Sequence, residues 1–457
     1  MADKAVSLRG EQTVLFTNRQ LVALMWPLLL EQFLAITVGL ADSLMVATVG
    51  DAAISAVSLV DSISNLMIYI FSAMATGGAA VAGQYIGQRQ KEDACHAGQQ
   101  LIALLAAVSV FFVALLYLFR AQVLTVMFGH IEPDVMAATN TYYLYVMASI
   151  PGIALYNGGA ALWRTMGRSD ISLKVSLLMN GINVAGNAIL IFGFGMDVAG
   201  VAIPTLVSRT VAAAVILGML FNDKLTLHLS NVRAFRLDMR LMKNIFYIGV
   251  PSGVENGMFH LGRLVLFSLI STFGTAAMVA NAIGNTIANF NCFSGSAINL
   301  GLAAVVSQCV GAGEFDQARA YMKKIVKWTY GIMAVVNLGI MALLPFIMRV
   351  YNVSPEAEKL AVTVSLIHGI SSIFLWIPAF TIPSFLRAAG DAQFTMLASM
   401  TTMWLVRVLL AYVLGRYLGY GVVGVWFAHA ILDWLVRGSV FILRYRSGKW
   451  ESMGIKT

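Results

Sequence analysis

Two carboxylates stand inside an apolar run where neither is cheap to keep. Residues 20–48 read QLVALMWPLLLEQFLAITVGLADSLMVAT and hold Pro27, Glu31 and Asp42. The run exceeds the roughly 20 residues a helix needs to cross a bilayer, and an acid inside such a helix costs several kcal/mol, so it marks a functional position. Glu31 and Asp42 stand three helical turns apart and share a helix face. Further along, Asn180, Asn183 and Asn187 recur at i, i+3 and i+7, Thr205 follows Pro204, and Asp61 and Asn65 stand at i, i+4. With Asp42 these supply one carboxylate and several neutral oxygens, a set suited to a proton or a small cation. The other reading of the Asn and Thr residues is packing glue between helices.

The second half of the chain is polar differently. Asn281, Asn285 and Asn289 recur at i, i+4 and i+8; Glu255 is flanked by Asn256, His260 and Arg263; Arg407 and Asp433 lie in the last two apolar runs. Ion pairs Arg407–Asp433 and Arg263–Glu255 are the plain reading of these charges. His260 has no second His or Cys at metal-ligand spacing and reads as a hydrogen-bonded helix residue.

The elements that must position these groups are membrane helices. Of 457 residues 59% are hydrophobic and 11% charged, against about a quarter charged in soluble domains. Forty glycines and 24 methionines suit close-packed, adaptable membrane helices. Twelve spans are expected, near 20–48, 54–86, 98–122, 134–162, 172–194, 199–222, 243–272, 277–309, 320–347, 357–386, 392–416 and 421–445. The net charge of +8 is distributed as a topology signal rather than as a nucleic-acid patch. Twenty-three of the 30 Lys and Arg fall at the termini and even-numbered connections, among them Arg89, Arg168, Arg233 and Arg236; Arg209, Arg263 and Arg407 are placed within spans. The positive-inside rule then puts both termini in the cytoplasm. The polar segment 1–18 lacks a small-residue cleavage site and reads as the approach to the first helix. Cys95, Cys292 and Cys309 have no ligand or disulfide spacing and read as small core residues.

The chain also repeats itself. Pro27-x-x-x-Glu31 returns as Pro251-x-x-x-Glu255, Ala79-Ala80-Val81 as Ala303-Ala304-Val305 and Gly200-Val201 as Gly424-Val425, each at an offset of 224; Arg164-x-x-Gly167 returns as Arg387-x-x-Gly390 at an offset of 223. Six spans per half make the repeat parallel, with its pseudo-two-fold axis along the membrane normal and a cavity between two lobes. The expected division is an N-terminal lobe 1–222, a basic linker 223–242 and a C-terminal lobe 243–457. At the 224 offset Arg407 takes the place of Asn183, Ala411 that of Asn187 and Leu266 that of Asp42, so the cation chemistry of the first half is not repeated.

Walker A and nucleophile-elbow motifs are absent, so work must draw on an ion gradient, which favours a carrier over an enzyme or a channel. Pro27 with Asp42 in LADSLMVATVG, Asn183-x-x-x-Asn187 before ILIFGFG, Gly200-x-x-x-x-Thr205, Pro251-x-x-x-Glu255 and the paired RTMGRSD and RAAGDA loops together resemble the multidrug and toxic compound extrusion (MATE) transporters. The resemblance implies an all-α polytopic protein of two six-helix lobes in a V. It implies a secondary antiporter that exports cationic or amphipathic drugs against inward H+ or Na+, with no other cofactor. It makes Asp42 the coupling carboxylate, grouped with Asn183, Asn187 and Thr205, and lets the first helix bend near Pro27. Pro27, Glu31, Asp61, Asn65 and Asn180 form a second tier; Glu255, Asn256, His260, Asn285, Asn289 and Arg407 are expected in the cleft of the second lobe, with Trp376 and Phe259 as its apolar lining. Two departures stand out: some members carry Asp where this chain has Asn187, and others an acid near Trp376. A monomer in a bacterial inner membrane is expected. The alternatives are a lipid-linked oligosaccharide flippase of the same superfamily and, less favoured, a channel or receptor.

Overall fold

The computed structural model describes residues 14–129, 132–229 and 237–455, nearly all helical and none in a strand. In lipid a backbone must satisfy its own polar groups, so apolar runs of this length become helices. Twelve long segments follow one another: α1 (Asn18–Ala47), α2 (Asp51–Gly87), α3 (Lys91–Leu118), α4 (Pro133–Thr165), α5 (Ser169–Gly193), α6 (Ala199–Phe221), α7 (Met239–Ser271), α8 (Thr275–Gly311), α9 (Phe315–Tyr351), α10 (Pro355–Phe374), α11 (Ala392–Tyr417) and α12 (Gly421–Arg446). Ten are long and apolar enough to cross a membrane; α4 and α7 are as long but diluted by polar residues and glycine. The third span ends earlier than expected, at Leu118, and a short helix Arg120–Phe128 follows.

The repeat is visible in the helices themselves. α2 and α8 each have 37 residues, and the glycines before them, Gly50 (φ 135°) and Gly274 (φ 95°), adopt backbone angles that side chains disfavour. α5 closes with a π turn at Ile189–Gly193, as α11 does at Val413–Tyr417. The second half adds three more π turns: Ile377–Thr381, between α10 and the short helix Ile382–Ala388, then Thr402–Val408 within α11 and Ala428–Asp433 within α12. Such turns are rare and gather at functional sites.

Packing divides the chain into two compact units that do not coincide with the expected halves. One comprises Leu34–Gly253; the other takes the chain up to Phe33 together with Val254–Thr457. The boundaries therefore fall inside α1 and α7 rather than in the 223–242 connection, whose Arg233 and Arg236 lie outside the described residues. In the Leu34–Gly253 unit, α4 packs against α2 and α6, and α5 against α6. Glycine permits the closest approaches: a Cβ on Gly77 would stand 3.0 Å from the Gly249 Cα, and one on Gly152 would stand 3.1 Å from the Arg209 carbonyl carbon. In the other unit α8 is central, packed on α9 and α10, with a buried cluster that joins Leu21, Leu24 and Met25 to Leu302, Phe385 and Trp450.

Candidate functional site

Three helices of the Leu34–Gly253 unit bring polar groups to Asp42. The Asn183 and Asn187 side chains leave α5 one turn apart, on the face it turns to its neighbours, and both are buried. Asn187 Nδ2 donates to Asp42 Oδ1 at 3.0 Å. The Asn183 amide is assigned with its nitrogen toward Asp42, donating to Oδ2 at 2.9 Å and Oδ1 at 3.1 Å, while its oxygen accepts from Thr205 Oγ1 at 3.2 Å. Thr205 shares its proton with the Val201 carbonyl 2.9 Å away on α6. The four residues expected to act together are therefore in one hydrogen-bonded cluster. Asn187 Oδ1 remains buried without a donor.

Two charges complete the surroundings. Asp61, on α2, accepts from the buried Tyr142 hydroxyl at 3.2 Å. Arg209, on α6, donates to Ser149 Oγ at 2.8 Å, one turn before the glycine contact at Gly152 that draws α4 onto α6. The charged groups acting on Asp42 are Asp61 and Arg209, and Arg209 acts on both carboxylates. Two carboxylates thus face one guanidinium. Arg209 shows in the sequence only as a charge within a span, and Tyr142 and Ser149 carry no signal of their own: their partners lie 81 and 60 residues away.

The second tier separates. Asn180 is half-buried one turn below Asn183 without a bond to Asp42, and Asn65 is exposed. Glu31 is buried at 6% exposure, and it and Pro27 belong to the other unit.

In that other unit the expected ion pairs are replaced. Glu255 pairs with Arg387, whose Nη1 reaches both carboxylate oxygens at 3.1 Å, and accepts from Ser399 Oγ at 2.7 Å. Arg263 instead donates to Asn285 Oδ1 at 3.2 Å. Asp433 is held through both oxygens by Arg437 at 3.0 Å, and Arg437 also donates to Thr402 and lies 4.3 Å over the Phe259 ring. Arg437 sits inside α12 at 1% exposure. Arg407 is buried without joining an ion pair among the described residues. Asn289 is exposed, whereas Asn256, His260 and Asn285 are half-buried. Trp376 is 4% exposed and stacks on Phe380 in the unit's core, so it is a packing residue and no cleft lining.

A chain of long apolar helices that keeps carboxylates and guanidiniums inside them is a polytopic membrane protein. The MatE family model matches residues 27–189 and again 251–413, two stretches related by the 224 offset, so the chain belongs to the MatE family of membrane transporters, and both halves carry the family's repeat. It is 29% identical over 95% of both chains to the transporter YisQ of Bacillus subtilis (strain 168). It is 23% identical to the probable multidrug resistance protein NorM of Thermotoga maritima, over 96% of this chain and 94% of that one. The outward-facing structure of a multidrug resistance MATE family transporter of the MOP superfamily superposes with a TM-score of 0.85 at 19% identity, covering 96% of this chain and 97% of that one.

Proposed function

We propose that this transporter is a secondary active multidrug exporter, driven by inward H+ or Na+ and working as a monomer in a bacterial inner membrane with both termini in the cytoplasm. The observation that carries the reading is the charge of the Asp42 cluster. Asp42 and Asp61 against Arg209 leave one negative charge, which a single monovalent cation neutralises. The amides of Asn183 and Asn187 orient Asp42 without cancelling its charge. A proton on Asp42 would place an O–H where an amide N–H now points, and Na+ would need amide oxygens turned toward it. Either event obliges α5 to readjust against α1, and that readjustment is how ion occupancy biases alternating access. The names of relatives such as NorM support drugs as cargo, and an anionic ion site suits competition with cationic or amphipathic compounds.

The test is efflux of ethidium from proteoliposomes under an imposed pH gradient and then a sodium gradient. One gradient should accelerate wild-type efflux, and Asp42→Asn should respond to neither while inserting normally. Gradient-driven efflux at the wild-type rate in Asp42→Asn would end the scheme. Transfer of a lipid-linked oligosaccharide without any ethidium efflux would favour the flippase reading instead.

A further inference from the structure

At Arg407 the second half of the chain carries a charge where the first half carries a neutral amide. At the 224 offset it stands where Asn183 stands, His429 stands where Thr205 stands, and Leu266 stands where Asp42 stands. The first half thus builds its site around an acid. The second replaces the acid with an alkyl group and supplies a guanidinium and an imidazole.

The packing around Arg407 leaves its charge unmet. The residue is 5% exposed, and its Nε has no hydrogen-bond partner. The charged groups that act on it are Asp433, Arg263 and Arg437. Both oxygens of Asp433 are already taken by Arg437 at 3.0 Å, so three guanidiniums share one carboxylate that is engaged elsewhere. Among the described residues Arg263 is tied only to the neutral Asn285. Trp434, next to Asp433 in the chain, is fully buried and its Nε1–H also lacks an acceptor. Two buried donors without acceptors and an excess of positive charge ask for one kind of partner, a compact anionic acceptor. His368 and His429, whose rings lie 5.2 and 5.5 Å from Trp434, give that neighbourhood flat apolar faces as well. Arg407 and Asp433 both lie in π turns that pack against each other, Thr402–Val408 and Ala428–Asp433.

We propose that the Val254–Thr457 unit holds an anion-accepting site centred on Arg407 and supported by Arg263, which receives a carboxylate or a similar compact anion. The site rests on the export reading for the source of that anion, an acid group on the cargo. A guanidinium–carboxylate pair is bidentate and directional, which a lysine would not reproduce.

The experiment measures equilibrium binding to purified protein in detergent, without a gradient. The probes are a rhodamine methyl ester, which is a cation, and the corresponding free acid, which adds a carboxylate to the same ring system. Wild type should bind the acid about tenfold more tightly than the ester, the effect of one charged hydrogen-bonded contact. Arg407→Gln should abolish that preference, Arg407→Lys should keep part of it, and Arg263→Gln should reduce it while sparing the buried Arg407. Sodium benzoate should raise the unfolding temperature of wild type and leave that of Arg407→Gln unchanged. Weaker binding of the acid in chloride than in methanesulfonate would identify a free inorganic anion as an occupant of the same site; no difference assigns the site to the cargo's own acid. Equal binding of both dyes by wild type, with no response to benzoate, overturns the anion site and leaves drug export standing. A benzoate response in a protein that binds neither dye overturns the drug reading and leaves the anion site standing.

Discussion

Asn187 hands its amide proton to Asp42 across 145 residues of sequence, at 3.0 Å, and so ties α5 to the second half of α1. That bond is made to a carboxylate by a neutral donor. Replacing Asn187 with leucine removes the donor and keeps the number and branching of the side-chain heavy atoms. Ion-driven efflux should fall on the order of tenfold, the worth of a hydrogen bond to a charged group, with Asp42→Asn more severe. Initial rates in proteoliposomes check the order; an Asn187→Leu protein as fast as wild type would show that the bond does not contribute.

Asp61 does not touch Asp42, yet it sets the charge of the cluster. Asp61→Asn leaves one carboxylate facing Arg209 and a neutral site. Affinity for the coupling cation should drop on the order of tenfold, as for loss of one charge at partly screened range. The half-saturating sodium concentration, or the external pH at half-maximal efflux, reads this directly. An unchanged value would remove Asp61 from the site.

The Asp433–Arg437 pair is buried at 0% and 1% side-chain exposure. Breaking a buried pair strands a charge and costs about 3–5 kcal/mol. Asp433→Asn should therefore lower the unfolding temperature sharply. The double change Asp433→Leu with Arg437→Met should recover most of the loss, as scanning fluorimetry in detergent would show. Equal instability of the single and double variants would mean that packing, not charge, is what the pair supplies.

Gly77→Ala should destabilise the Leu34–Gly253 unit by roughly 1–3 kcal/mol, because the new methyl meets backbone at Gly249. Gly39→Ala, on α1 with open space around it, is the control and should be neutral or slightly stabilising. Matched unfolding temperatures for the two variants would argue against the tight crossing.

What the sequence shows plainly is what lies along one helix or repeats along the chain. The apolar runs give the twelve helices, the 224 offset reappears in α2 and α8 and in the doubled family match, and the i, i+4 spacing of Asn183 and Asn187 puts both on the face that reaches Asp42. Partner choice between helices is not written that way. Glu255 finds Arg387 rather than the nearby Arg263 because the partner is 132 residues off and is selected by how α7 meets the α10–α11 region. Asp433 takes Arg437, four residues along the same helix, rather than the expected Arg407. The boundary between the units moves for a related reason. A repeat records covalent order, while packing assigns each part of α1 and α7 by the surface it buries.

The π turns of the second half explain a small irregularity in that repeat. Pro133 and Pro355, each opening a helix, are offset by 222; Arg164 and Arg387 are offset by 223; the π turns Ile189–Gly193 and Val413–Tyr417 are offset by 224. The offset grows by one across Ile377–Thr381 and by one again across Thr402–Val408, two of the π turns that lack a counterpart in the first half. Each has taken in one extra residue as a wider turn instead of rotating the rest of its helix by about 100°. These two stretches are thus the places where the protein can lose a single amino acid and remain in register, and the loss at Thr402–Val408 would re-aim Arg407 without breaking α11.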